Sequence, residues 1–280
     1  MEIGVTKYRS GTGRIPVVFI HGFPVDHRMW NAAAEQVSTM TTEDGLASVP
    51  LYSFEMPGAG TTAVPSAADT GEVAADGAYT QALDLMAAAF VKALRSRGYE
   101  KAIWIGLSMG GYAVLSIQRQ FPDSVAGIGL CDTKPDADTP ASRAHRLRIA
   151  EEALNGAGSE TVMHFAQPEP GDSEIKKSAG FIRLFTRWIR EQTPQGIAWR
   201  QRMAAGRPEQ TEVLAQITAP TLLLSGERDP SSPPAKMRPY CESVPSAFFV
   251  EVPDAGHFTA VERPQAVAEA IVRLMRKVSR

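Results

Sequence analysis

The pentapeptide Gly106-Leu107-Ser108-Met109-Gly110 carries the clearest chemistry in the chain. A G-x-S-x-G segment can hold a serine at a tight turn between a strand and a helix, its hydroxyl clear of the backbone and poised to attack a carbonyl. The two glycines have a steric reason, because side chains two positions either side of the serine would collide with the adjoining strand and helix. Such a turn also places Ser108 at a helix N-terminus, where free N–H groups and the positive dipole end favour developing negative charge. Taken alone, the pentapeptide could be a structural serine in a glycine-rich turn. Its context favours a nucleophile: the apolar run Ala102–Ile105 leads straight into it, and a helical pattern begins at Met109.

A serine hydroxyl needs a base. Of five histidines, His145 and His164 fall in a long helical stretch, and no two share metal-ligand spacing. His257 follows the apolar run Phe248–Val252 through Pro253-Asp254-Ala255-Gly256, at the end where open α/β sheets build their sites. It is the candidate base. The base needs an acid to fix its tautomer and stabilise the imidazolium. Asp229 lies in the loop after Thr221–Leu224, in the chain order Ser…Asp…His. Asp132, which ends the strand after the elbow helix, is the alternative, and Asp254 reads as a turn-shaping residue. Acyl transfer also needs donors for an oxyanion. In His21-Gly22-Phe23-Pro24, Gly22 permits close backbone approach and Pro24 has no N–H, which leaves the Phe23 N–H. The Met109 N–H, next after the serine, is the second donor.

These residues must be positioned by the elements around them. Val17–Ile20, Leu51–Phe54, Ala102–Ile105, Val125–Leu130, Thr221–Leu224 and Phe248–Val252 are short continuous apolar strings, as expected of strands buried on both faces of a parallel sheet. Helix-period segments lie between them: Thr80–Gly98, Met109–Phe121 and Pro264–Met275. The alternation predicts an α/β fold with a mostly parallel central sheet and helices on both faces. Two segments break it. Thr61–Gly77, rich in Ala, Asp, Thr and Gly, reads as a mobile surface loop. Lys134–Arg207 reads as a helical, strand-free insertion, in which Ile175, Ala179, Ile182, Phe185 and Ile189 recur at helical spacing beside Trp188. That stripe packs the insertion onto the core, and a roof over the site is the second reading. The domain expectation is a core of residues 1–133 and 208–280 with a helical cap insertion at 134–207.

Composition removes other classes. Of 280 residues, 44% are hydrophobic and 21% charged, with net charge −2. The chain is globular, without an overall basic field for nucleic acid or an anionic membrane, and no nucleic-acid or membrane partner is expected. The N-terminus reads as carrying no targeting signal. Cys131 and Cys241 form no CxxC pair and read as buried free thiols, consistent with a cytoplasmic protein. There is no P-loop and no dinucleotide fingerprint. The segment Lys176–Arg202 carries seven basic residues against Glu191 alone, net +6. Such a run is ordinarily a solvated helix face, and attraction of a carboxylate-bearing substrate is the sharper reading.

His21-Gly22-Phe23-Pro24, Gly106–Gly111 and Asp254-Ala255-Gly256-His257 resemble the oxyanion, elbow and histidine motifs of the α/β-hydrolase fold superfamily. The resemblance extends over nearly the whole chain, with the insertion where that family carries its cap. The strings HGFPVDHRMW, GLSMGGY and DTKPDADTPASRAHR are similar to bacterial enol-lactonase-like and carboxylesterase-like serine hydrolases. Glu55-Met56-Pro57-Gly58-Ala59-Gly60 departs from the pattern, since many relatives start that motif with Asp. The resemblance implies Ser108, Asp229 and His257 as catalytic residues and Phe23 and Met109 as the oxyanion hole. It implies a small-molecule ester or lactone as substrate and no cofactor. Relatives acting on haloalkanes or epoxides use an aspartate at the elbow, so Ser108 argues against both. Carbon–carbon hydrolysis or cofactor-free peroxidation would use the same residues, and a ligand receptor that binds without turnover is the different class.

Overall fold

The computed structural model describes residues 1–42 and 45–279. Its sheet contains seven strands among the described residues: β1 (Val5–Arg9), β2 (Val17–Ile20), β3 (Leu51–Phe54), β4 (Ala102–Leu107), β5 (Val125–Cys131), β6 (Thr221–Gly226) and β7 (Ala247–Val252). Their spatial order is β1-β3-β2-β4-β5-β6-β7. β1 runs antiparallel to β3 and every other pairing is parallel, as the apolar strings predict. Every residue of β2, β4 and β6 is buried. β1 is an addition to the sequence reading. It is a half-exposed edge strand, VTKYR, whose mixed composition gives no apolar run.

The chain reverses its direction of travel across the sheet after β3. Helix α1 (Asn31–Met40) connects β2 to β3 on one side, and α2 (Ala82–Arg95) carries the chain back past β2 to β4. α3 (Met109–Gln120) then leads on to β5. With right-handed crossovers, this reversal puts α1 on one face and α2 and α3 on the other. The C-terminal ends of the neighbouring strands β2 and β4 therefore open into a crevice at a topological switch point, where open α/β sheets bind ligands.

Between β5 and β6 the chain is helical and, among the described residues, free of strands. It forms α4 (Pro140–Glu152), short turns over Ala153–Ala166, α5 (Ala179–Arg190) and α6 (Pro194–Ala205). Each helix starts on a side-chain cap: Thr139, Ser178 and Thr193 accept from the N–H groups of Ser142, Phe181 and Gly196. α7 (Pro234–Glu242) and α8 (Pro264–Val278) complete the fold, and α8 packs on α1. The buried face of α5 is Phe181, Phe185, Trp188 and Ile189. This shifts the phase of the expected stripe: Ala179 is exposed and Ile182 half-buried. The difference arises because the apolar face is broad, and the aromatic rings of Phe181, Phe185 and Trp188 take its centre while Ile182 and Leu184 lie half-buried at its margins. Phe185 stacks on Phe181 at 4.2 Å and meets Phe258 of the core edge-on at 4.6 Å.

The segment 61–77 is irregular, as expected, but it is tied down by its neighbours. Ser66 caps a one-turn helix, Ala67–Thr70. The Trp199 Nε1–H donates to Thr70 Oγ1 at 3.0 Å, the Tyr79 N–H to the Arg202 carbonyl at 3.0 Å, and Arg143 pairs with Asp76 at 2.6 Å. Cys131 is buried and Cys241 half-buried, both free thiols. Among the described residues no helix is long and apolar enough to cross a membrane.

Candidate active site

Strand register explains why distant residues meet. Ile20 of β2 lies opposite Gly106 of β4, which brings the His21–Phe23 loop beside Ser108. Leu107 lies opposite Cys131 of β5, Cys131 opposite Leu224 of β6, and Gly226 opposite Val252 of β7. The loops carrying Asp132, Asp229 and His257 therefore leave the sheet at one edge.

Ser108 sits at φ 54°, ψ −115°, in the left-handed region that side chains avoid. The turn is held by the Ser108 N–H on the Cys131 carbonyl at 2.9 Å and by the Thr133 hydroxyl on the Ser108 carbonyl at 2.7 Å. A Cβ on Gly106 would stand 2.4 Å from the Gly110 carbonyl, and one on Gly110 would stand 2.3 Å from the Ile20 carbonyl. Both glycines are required by close backbone approach. Although Ser108 occupies the N-cap of α3, its hydroxyl makes no capping bond. It bonds to His257 Nε2 at 2.8 Å instead.

The other ring nitrogen of His257, Nδ1, lies 2.9 and 3.0 Å from the two Asp229 oxygens. An acceptor-only carboxylate on that side requires the proton on Nδ1, which leaves the Nε2 lone pair facing the serine hydroxyl. The Asp229 carboxylate is buried and also accepts the Ser231 N–H at 2.8 Å. Burial alone would raise the Asp229 carboxyl, but His257 and N–H bonds from Ser231 and Ser232 hold it below its ordinary value. Burial alone would likewise lower the His257 imidazole. Asp229 overcomes this, with help from Asp132 and Glu262, and raises it.

Asp132 and Asp254 take other roles. Asp132 is buried at φ 47°, accepts the Gly226 N–H at 2.9 Å and pairs with the Thr259 hydroxyl. Burial, and then the neighbouring Asp229 charge, push its carboxyl well above the usual range. Asp254 shapes the turn before His257 at φ 46° and pairs with Arg228 and Arg263. Glu262 was not legible as a site residue. It is buried and receives the N–H groups of Gly256 at 2.7 Å and Phe258 at 3.0 Å, fixing the backbone on both sides of His257, and it also accepts the Ser173 hydroxyl. A lone glutamate five residues past the histidine carries no signal of its own in a single sequence.

The Phe23 and Met109 N–H groups have no protein acceptor among the described residues. His21 settles the orientation of the first. Its Nε2 accepts the Met56 N–H at 3.0 Å, so Nδ1 carries the proton and donates to the Gly22 carbonyl at 2.9 Å. Burial lowers this imidazole to about 4, which keeps it neutral. In a planar trans peptide the N–H points opposite to the C=O, so pinning the Gly22 carbonyl turns the Phe23 N–H away from His21.

The adjoining cleft encloses about 870 Å³ counted out to open solvent. Its lining includes apolar Phe23, Met109, Tyr112, Phe165 and Phe258 and polar Arg146, His164, Glu169, Asp172 and Lys176. Arg146 pairs with Asp138 at 2.6 Å and Lys176 with Asp172 at 2.9 Å, so much of this charge is internally compensated. The basic run does not face the cleft as a unit: Arg183, Arg187 and Arg190 are exposed, and Arg200 is fully buried. Asp26, His27 and Glu55 lie close enough to share a cation. Their donors are engaged, however, with the Asp26 carboxylate on Arg28 at 2.7 Å and His27 Nδ1 on Glu55 at 2.6 Å.

Because Asp132 bonds the Gly226 N–H and the Thr259 hydroxyl, as an amide could, and does not bond His257, Asp132→Asn is expected to change the rate of Ser108 labelling by a fluorophosphonate less than about tenfold. Asp229→Asn, which presents the wrong partner to Nδ1, is expected to slow it by about 10³-fold or more. Stopped-flow or gel-based labelling kinetics measure both, and the reverse order would exchange the two carboxylates.

Comparison with known proteins agrees with this architecture. The chain is 30% identical to a thermophilic esterase from Thermogutta terrifontis, solved with malate bound, over 99% of this chain and 93% of that one, with a TM-score of 0.81. An enol-lactonase from Burkholderia xenovorans LB400 shares the fold at 17% identity and TM-score 0.77, over 98% and 96% of the two chains. A pimeloyl-[acyl-carrier protein] methyl ester esterase from Chromobacterium violaceum is 25% identical over 91% of this chain and 92% of its own. The model of the alpha/beta hydrolase family matches residues 17–270, and the chain belongs to that family.

Proposed function

We propose that the protein is a serine hydrolase that cleaves a small carboxylic ester or lactone through an acyl-enzyme. The observation that carries this reading is the unbroken hydrogen-bonded series Asp229–His257–Ser108, whose histidine and serine line the cleft. Ser108 Oγ attacks the ester carbonyl while His257 Nε2 takes its proton. The resulting oxyanion accepts from the Phe23 and Met109 N–H groups, and Asp229 stabilises the imidazolium. As the tetrahedral species collapses, the imidazolium returns the proton to the departing alkoxide and the alcohol leaves. Water, deprotonated by the same imidazole, then attacks the acyl-serine, and a second collapse releases the acid and restores Ser108. For a lactone, the alcohol and acid remain one molecule.

General-base assistance of this kind contributes roughly 10²–10⁴ in rate, and each oxyanion donor about 3–4 kcal/mol of barrier. The cleft supports a compact substrate bearing both apolar and polar groups, since its lining includes Phe23, Phe165 and Phe258 as well as Arg146, His164 and Lys176. Relatives described as esterases and an enol-lactonase favour the same class.

The test is turnover of a panel of short esters and lactones by the purified protein. Multiple turnovers are expected, with Ser108→Ala folded, slower by about 10³-fold or more and unlabelled by a fluorophosphonate. A single stoichiometric burst without turnover would point to a receptor, and labelling retained in Ser108→Ala would move the nucleophile elsewhere.

The pH dependence has a definite sign. Only the neutral imidazole can accept the serine proton, so kcat/KM is expected to rise with pH. Because Asp229 stabilises the protonated form of His257, the midpoint is expected above the ordinary imidazole value of about 6.5. A profile flat from about pH 5 to 8, or a midpoint below about 6, would contradict the assignment of His257 as base.

A further inference from the structure

Arg200 of α6 is fully buried. Removing a guanidinium from water is costly unless a carboxylate meets it, yet among the described residues no carboxylate forms an ion pair with Arg200 at hydrogen-bond range. Its donors go to neutral oxygens instead. Nε bonds to the Gly196 carbonyl at 3.1 Å, Nη2 to Gln192 Oε1 at 2.8 Å, and Nη1 to the Val25 carbonyl at 3.0 Å and the Pro24 carbonyl at 3.4 Å. The guanidinium carbon also lies 5.2 Å from the centre of the Phe23 ring. Burial brings the group down to about 10, with Asp26 and Glu55 opposing the fall, so it remains a cation at neutral pH.

Nε and Nη2 anchor the guanidinium within its own segment, and Nη1 and the ring contact reach one loop. Upstream, His21 pins the Gly22 carbonyl. Downstream, Arg200 holds the Pro24 and Val25 carbonyls and the face of the Phe23 ring, while Phe165 meets that ring edge-on at 6.1 Å. Gln192, whose oxygen orients Arg200, donates through Nε2 to Asp26 at 3.0 Å, so the α5–α6 corner grips the loop at a third point. The core supplies Phe23, but helices of the insertion supply most of what holds its side chain and following backbone.

We propose that Arg200 is a positioning residue: its guanidinium, delivered by the insertion, fixes the loop from Phe23 to Val25 and thereby aims the Phe23 N–H at the oxyanion formed on Ser108. The inference rests on the acyl-enzyme reading above. A lysine cannot reproduce the fork, because it presents a compact charge with no planar pair of donors. Charge alone therefore does not substitute.

The test compares wild type with Arg200→Lys and Arg200→Met on p-nitrophenyl acetate, with kcat expressed per site titrated by a fluorophosphonate. A trifluoromethyl ketone, whose serine adduct bears an oxyanion, reports stabilisation of that charge at equilibrium. Both variants are expected to lose about 10²-fold in kcat per titrated site and a similar factor in affinity for the ketone, with KM within about threefold. A residue that merely held the fold together would lower the number of titratable sites and leave kcat per site unchanged. Folded Arg200 variants with kcat per site and ketone affinity within about threefold of wild type would overturn the inference. Should neither variant fold, Gln192→Ala leaves Arg200 in place and removes the amide that orients its guanidinium, together with that amide's own bond to Asp26. It is expected to lower both quantities by about tenfold, and no change would overturn the inference. A wild-type protein that turns over no ester would overturn the acyl-enzyme reading and this inference with it, whereas wild-type-like Arg200 variants overturn the inference alone.

Discussion

The contact on which the rest of the structure depends is that of the His257 ring with its two neighbours, a buried carboxylate on one nitrogen and the Ser108 hydroxyl on the other. An imidazole has two chemically distinct edges, and only one tautomer satisfies this pair of partners. The surrounding structure serves to keep that ring from turning. Glu262 fixes the backbone before and after it, Asp254 shapes the approach, and the register β4–β5–β6–β7 brings the three loops to one edge of the sheet.

Several charged or titratable groups are buried around this ring, and their differences are instructive. Asp229 stays ionised because two N–H groups and an imidazole surround it, whereas Asp132, with one N–H and one hydroxyl, is pushed toward its neutral form. Two carboxylates that close cannot both ionise cheaply in a dry site. Arg200 is a third case, a buried cation satisfied by carbonyl oxygens. Each such group costs stability relative to an apolar side chain of the same size; Asp229 bonds the His257 ring, and Arg200 the carbonyl next to Phe23.

Signals local in sequence were legible. Runs such as Val17–Ile20 and Thr221–Leu224 read as strands because burial on both faces leaves no polar position. The elbow read as an elbow because Gly106 and Gly110 have a steric meaning that the coordinates reproduce. Signals that depend on tertiary placement were not legible. β1 alternates too weakly at its exposed edge to stand out, and α1 buries only Ala33, Ala34 and Val37. The phase of α5 was off because a 3.6-residue period accepts either of two overlapping apolar stripes. Arg200, Gln192 and Glu262 are residue types that ordinarily face water, so their burial follows only from which loops surround them. In the sequence the preference for Asp229 over Asp132 rested on chain order, since each follows a parallel strand; the side-chain bonds distinguish them, Asp229 on His257 Nδ1 and Asp132 on Gly226 and Thr259.

The central claim is that Ser108 itself carries the acyl group during turnover. The most direct measurement is rapid acid quench of the enzyme with p-nitrophenyl acetate in the steady state, followed by peptide mass mapping. The account requires an acetyl increment on the peptide containing Ser108. Continued turnover with that peptide unmodified, or the acetyl group on another residue, would contradict it.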